Sequence, residues 1–192
     1  MRNKKNFMDM GLWESIKTHG LHVGEALLIA DPAMAMNHDN RNDWTALQMA
    51  AWWGCDDIAK IILKHCPASV LEKDPHGHTA LHIAAWRGHG DVARSILKAA
   101  PDIIDWANND GETALHEASM HDKEKTVAVL LSKNANPCLG TAPTKDFPLG
   151  RLASELCGNE EIRALLIEAE RNWNGPRPAA IPAPAPKPPG AP

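Results

Sequence analysis

Residues 79–90 read TALHIAAWRGHG, and the start of this stretch recurs twice in the chain at the same distance. The earlier copy is TALQMAA at 45–51 and the later copy is TALHEAS at 113–119. The three copies therefore start at equal distances along the chain. A fixed interval between such motifs is typical of stacked supersecondary units, each of which contacts only its neighbours. The period therefore predicts an elongated repeat protein rather than one globular core.

Each unit contains the residues of two short antiparallel helices. The Thr at its start can cap a first helix by accepting a hydrogen bond from a backbone N–H group, and the Ala pair lets a neighbouring helix approach closely. Gly54 and Gly88 predict a left-handed end to that helix. Apolar residues at helical spacing follow, such as Ile58 and Ile62, and turn-forming residues such as Asp74-Pro-His-Gly separate the units.

The stretch from Thr79 to His89, in which Thr-Ala-Leu-His-x-Ala-Ala is followed by Gly-His, resembles the ankyrin repeat. Tetratricopeptide repeats have the same period, about 34 residues, but their Trp/Leu-Gly/Tyr pattern is missing here. The resemblance implies an all-α ankyrin-repeat solenoid of about five helix pairs, three clear repeats and two degenerate caps, with short β-hairpin-like turns. It also implies a module that binds another protein and is not an enzyme.

The period divides the chain into an N-terminal arm, a repeat domain and a tail. The repeat domain is predicted over 10–172, with units over about 10–39, 40–73, 74–107, 108–143 and 144–172. The arm is 1–9, and the Pro/Ala-rich tail, 173–192, has too few large apolar residues to pack a core. An extended, disordered spacer is favoured for the tail over a docking motif, because its basic residues lack the spacing of an SH3 ligand. Asn159 is expected to cap the final helix.

The composition argues against several classes of function. The formal net charge is −4, so no overall positive field favours nucleic acid or an anionic membrane. No apolar stretch approaches the ~20 residues of a membrane-spanning helix, and the basic start of the chain lacks the apolar region of a signal peptide. Four cysteines without Cys-x-x-Cys pairing favour a reducing compartment. We therefore expect a cytoplasmic monomer.

Motifs for catalysis and metal binding are missing or are explained by the repeat. The chain has no Gly-x-Ser-x-Gly, Walker or dinucleotide-binding motif. His116-Glu-Ala-Ser begins like the zinc motif His-Glu-x-x-His, but His121 comes one residue late and is turned about 100° around the helix. The register instead pairs His82 and His116 with the Thr three residues before each. No metal and no cofactor are expected.

The aromatic composition, seven Trp, two Phe and no Tyr, carries the functional signal. The resemblance implies that partners bind the concave side, formed by the hairpin tips and the inner ends of the first helices. Trp52 and Trp86 are separated by one repeat period and are expected to be neighbours there, with Trp44 close by. These rings can anchor a partner or cover the core, and both roles stay open for Trp52 and Trp86. The register places these residues on the partner-binding face: Arg41, Asn42, Trp44, Trp52, Trp53, His76, His78, Trp86, Arg87, Asp110, Glu112, Met120 and His121.

Two alternative functions remain at this stage. A compact ankyrin-type chain without a catalytic set also fits a bacterial effector or an immunity-type inhibitor, although no residue selects that use. A metalloprotein built on the histidines near His76 is the less favoured alternative, because a zinc site needs convergent ligands at tight spacing.

Some positions depart from the repeat pattern. Asp43 and Asp122 stand where Gly occurs in other units, which predicts left-handed backbone and local softness in those repeats. Trp13 occupies the position of Leu47 and is expected in the core. Cys157, like Cys55, is expected to be a small buried apolar residue.

Overall fold

The computed structural model describes residues 12–38, 43–144 and 150–175. Within these ranges the chain forms ten α-helices in five consecutive pairs, and its only β-structure is two isolated bridges at the turns between units. The all-α architecture with five helix pairs is therefore confirmed. The pairs are α1 (Leu12–His19) with α2 (Leu21–Ala30), α3 (Ala46–Trp53) with α4 (Asp56–His65), α5 (Ala80–Arg87) with α6 (Gly90–Ala99), α7 (Ala114–Met120) with α8 (Glu124–Ser132), and α9 (Ala153–Leu156) with α10 (Glu160–Asn172).

The pairs stack side by side in two layers. The first helices pack in the order α1, α3, α5, α7, α9, and the second helices pack in the order α2, α4, α6, α8, α10. Leu47 and Leu81 from the first layer and Ile62 and Ile96 from the second layer are fully buried between them. The core thus runs along the whole stack, as a repeat array requires. The boundaries proposed for the units stay a prediction, and the arm 1–9 lies outside the described residues.

The helix ends follow the predicted chemistry. Gly54 and Gly88 have φ values of 70° and 82°, which are left-handed. A Cβ atom at Gly54 would lie 2.6 Å from the ring of His89, whose Nε2 atom is 3.2 Å from the backbone oxygen of Trp52. His89 therefore joins its unit to the preceding one, and only glycine fits beside its ring at position 54. Asn159 caps α10, because its side-chain oxygen accepts hydrogen bonds from two backbone N–H groups.

The two Asp residues in Gly positions do adopt left-handed backbone, with φ of 58° at Asp43 and 52° at Asp122. The carboxylate of Asp122 also accepts a hydrogen bond from the backbone N–H of Asn159 at 2.9 Å and lies 3.5 Å from the sulfur of Cys157. A glycine has no side chain to make these contacts with the last unit. The structure thus gives no support to the expected softness of the third clear repeat.

Two expectations about the core need correction. In α1 the fully packed residue is Leu12, whereas Trp13 lies against the core and stays half-buried. Cys157 is buried as expected, but Cys55 is only half-buried. α1 therefore directs Leu12 and Ile16, rather than Trp13, into the core.

Candidate partner-binding face

The turns before α5 and α7 are each held in shape by one buried side chain. Oδ1 of Asp74 accepts hydrogen bonds from the backbone N–H groups of His76 and His78, at 2.9 and 2.8 Å. Asp74 is 8% exposed, and Gly77 supplies the left-handed residue of the turn, with φ of 83°. The backbone of this hairpin tip is therefore fixed before any partner arrives.

Asn108 repeats the same arrangement one unit later. Its side-chain oxygen accepts from the backbone N–H groups of Asp110 and Glu112, both at 2.9 Å. The two tips are also joined, because the N–H of Asn109 donates to the backbone oxygen of His76 at 3.0 Å. The tips therefore form one continuous edge along the stack.

Buried histidines attach α5 and α7 to the backbone of the unit that follows each of them. Nδ1 of His82 accepts a hydrogen bond from the N–H of Thr79 at 3.2 Å, so its Nε2 carries the proton and donates to the backbone oxygen of Glu112 at 3.1 Å. His116 makes the same contacts with Thr113 and with the backbone oxygen of Arg151. The predicted pairing of these histidines with threonine is confirmed. Burial lowers the pKa of His82 and of His116 to about 4.

Three indole rings and one imidazole form a continuous row, here called the aromatic row, made of Trp44, Trp52, Trp86 and His121. Successive ring centroids are 5.1, 5.2 and 5.6 Å apart. Trp52 and Trp86 are neighbours as predicted, but their planes meet at 80°, the edge-to-face arrangement that the ring quadrupoles favour. The three Trp rings are half-buried and His121 is exposed.

Charged groups flank this row. The guanidinium carbon of Arg87 lies 4.4 Å from the ring centroid of Trp52, which is a cation–π contact. The indole N–H of Trp44 donates to Oδ2 of Asp74 at 3.4 Å. The same carboxylate therefore holds both the hairpin backbone and the first ring of the row.

A buried carboxylate lies beneath the row, at Glu117 on α7. Glu117 is 5% exposed and stands in the repeat register of Ile83. Its Oε1 is 3.2 Å from Nε2 of His78, and the Nδ1 of that ring is 3.2 Å from Oδ2 of Asp74. The hydrogen bond that His78 donates to Glu117 is the largest influence raising the pKa of His78, and the charge of Asp74 raises it further. The sequence signal for this site is a charged residue in an apolar position, which pattern reasoning overlooked.

The aromatic row and the hairpin tip held by Asp74 line an open groove. Its walls are Trp44, Trp86, Asp74, Pro75, His76 and His78, and its volume is about 500 Å³. We call it the Trp groove. It combines two indole surfaces, a proline ring and polar groups, which is the mixture of apolar area and a few oriented polar atoms that binding sites use.

The comparisons with known proteins identify the repeat. A family model for ankyrin repeats (3 copies) matches residues 12–105 and 66–141, and the two matches together span about two thirds of the chain. The chain belongs to the ankyrin-repeat family. A search of curated proteins gave no match. Ankyrin repeats are generally protein–protein interaction modules, and the family is typically non-catalytic.

The ankyrin fold brings most of the expected face residues to one edge, although not all of them into the aromatic row. His76, Arg87 and Asp110 are exposed, while Met120 and Glu112 are half-buried. Trp53 is 59% exposed, and among the described residues it shares none of the ring contacts of the row. Arg41 and Asn42 lie outside the described residues. A role for any of these residues in binding stays a prediction.

Two further features are absent from the part of the chain that the structure describes. In 12–38, 43–144 and 150–175, no group of three or more His, Cys, Asp and Glu side chains is placed to hold a metal ion. None of the helices in these ranges combines the length and apolar character needed to cross a bilayer.

Proposed function

We propose that this ankyrin-repeat chain binds, sequesters or inhibits a protein partner through the aromatic row and the hairpin tips beside it. The observation that carries the proposal is the row itself, in which successive rings from three consecutive repeats stay within 5.6 Å of each other. Trp and Arg are enriched among the residues that dominate protein interfaces. The three half-buried Trp rings of the aromatic row are residues of this kind.

Preorganisation strengthens this proposal. The side chains of Asp74 and Asn108 lock the two hairpin tips, and Arg87 already rests on Trp52. A partner that meets fixed tips loses less conformational entropy on binding than one that must order a loop. A Trp anchor buried on binding contributes about 2 kcal/mol or more.

The competing role, covering the core, has a specific basis too. Trp44 and Trp52 pack against the hydrophobic core, so replacing them removes core contacts as well as a binding surface. A binding test therefore needs variants at exposed positions of the same face. Arg87 and His121 meet this requirement, because both are exposed.

The test is affinity capture from the native lysate with the full chain as bait, followed by calorimetry with the identified partner. The triple variant Trp44→Ala/Trp53→Ala/Trp86→Ala should abolish binding, and Arg87→Ala or His121→Ala should weaken it. Trp106→Ala is the matched control, since Trp106 is 36% exposed and, in the described residues, shares no ring contact with the row. Unchanged affinity in all face variants, with unchanged far-UV circular dichroism, would show that the partner binds elsewhere.

A further inference from the structure

The sequence continues past Gly175 to Pro192, and the composition of this segment matches the Trp groove. Residues 176–192, here called the Pro-rich segment, contain eight prolines, two basic residues and no acidic residue. We propose that the Pro-rich segment docks intramolecularly on the Trp groove, rather than acting only as the spacer that its sequence predicts. A segment docked in this groove covers the proposed partner-binding face, and this consequence rests on the proposed function.

The first argument is the match between proline and indole surfaces. Pro-rich peptides adopt the polyproline II helix, and aromatic-lined grooves bind them because this conformation is already extended and loses little entropy. The Trp groove offers the indoles of Trp44 and Trp86 together with the ring of Pro75, in about 500 Å³ of open space.

The second argument is charge. Four carboxylates lie at or beneath the hairpin tips, and they belong to Asp74, Asp110, Glu112 and Glu117. Arg87 and the imidazole of His78 offset only part of this charge. Arg177 and Lys187 in the Pro-rich segment have the opposite sign, so the segment is attracted to this edge of the stack.

The third argument is reach. The segment begins just after α10 in the fifth helix pair, whereas Trp86 lies in the third pair and Trp44 begins the second. Neighbouring helices pack about 8–10 Å apart, so three steps along the stack span about 30 Å. At about 3.1 Å per residue, a polyproline II helix over 176–192 extends about 50 Å. Tethering at this length gives an effective concentration on the order of 1 mM.

The test uses the full chain labelled with ¹⁵N, in which each indole N–H gives its own NMR signal, assigned with single Trp→Phe variants. A segment variant carries Pro182→Ser, Pro184→Ser, Pro186→Ser and Pro188→Ser. We expect the signals of Trp44 and Trp86 to move in this variant while that of Trp106 does not. A synthetic peptide of residues 174–192 added to the variant should move both signals back toward their wild-type positions.

Calorimetry with the same peptide gives the second measurement. It should bind the segment variant about tenfold more tightly than the wild-type chain, because a tethered segment with a Kd of about 0.1 mM competes at an effective concentration of about 1 mM. Identical indole spectra together with equal peptide affinities would overturn the proposal, and shifts that grow with protein concentration would overturn its intramolecular form. Either failure leaves the lysate capture unaffected, so it is distinguishable from a failure of the proposed function.

Discussion

Replacing His82 and His116 with Gln is expected to make the protein more resistant to acid. The chain itself supplies the model for this change, because Gln48 stands in the same register. Its side-chain oxygen accepts from the N–H of Thr45 at 2.7 Å, and its side-chain nitrogen donates to the backbone oxygen of His78 at 3.0 Å. Glutamine therefore makes both hydrogen bonds that the histidines make, without a group that titrates.

The size of the effect follows from the two pKa values. In the folded state the pKa of each imidazole is about 4, against the usual 6.5, chiefly because burial disfavours the charged ring. Below pH 6.5 the two histidines are protonated in the unfolded chain but stay neutral in the folded chain. The free energy of unfolding therefore falls as the pH drops toward 4. The difference of roughly 2.5 units, at ~1.4 kcal/mol per unit, amounts to about 3 kcal/mol for each histidine.

Urea unfolding followed by circular dichroism at pH 7 and pH 4 measures this difference. Wild type, His82→Gln, His116→Gln and the double variant should have similar stability at pH 7. At pH 4 each single variant should exceed wild type by about 3 kcal/mol. His76→Gln, at an exposed position, serves as the matched control.

One result would refute this reasoning. If both Gln variants fold normally at pH 7 and then lose as much stability as wild type on acidification, protonation of these two rings does not govern the acid response.

Three further predictions concern single contacts. The pKa of His78 is raised, so the stability that its ion pairs add is present below pH 6.5 and is lost as the pH rises through the raised pKa. An NMR titration of His78 should show a midpoint above pH 6.5, and Glu117→Gln should lower that midpoint. Gly54→Ala should destabilise the protein by roughly 1–3 kcal/mol in urea unfolding, because the position is left-handed and the new Cβ meets the ring of His89; an unchanged midpoint would contradict the close contact. Asp122→Ala should speed hydrogen exchange in α10 while leaving α4 unchanged, since only the last unit loses its carboxylate acceptor.

The repeat could be predicted from sequence because its positions have local causes. Thr45 and Thr79 cap helices, Gly54 and Gly88 end them, and each of these roles is fixed by backbone geometry within a few residues. The period then propagates the assignment along the chain. For the same reason the pairing of His82 with Thr79 was predictable, since the two lie three residues apart.

The network beneath the aromatic row could not be predicted in this way. Glu117 meets His78 only because the first helix of one unit packs against the hairpin of the preceding unit, far away in sequence. The repeat pattern predicts an apolar residue at position 117, so it indicates no partner for the carboxylate of Glu117. Likewise, Trp52 serves both the core and the row, and the repeat pattern alone does not tell how much of such a ring remains exposed.

The side-chain hydrogen bonds at Gln48, His82 and His116 all run the same way along the stack, each from one unit to the backbone of the unit that follows it. The array therefore has a polarity. Deleting the last unit removes the backbone oxygen of Arg151 that accepts from His116, whereas deleting the first pair removes the acceptor of none of these three bonds. Shortening from the C-terminal end should thus be the more damaging operation, and engineered copies of the unit are best added ahead of α9 rather than after it.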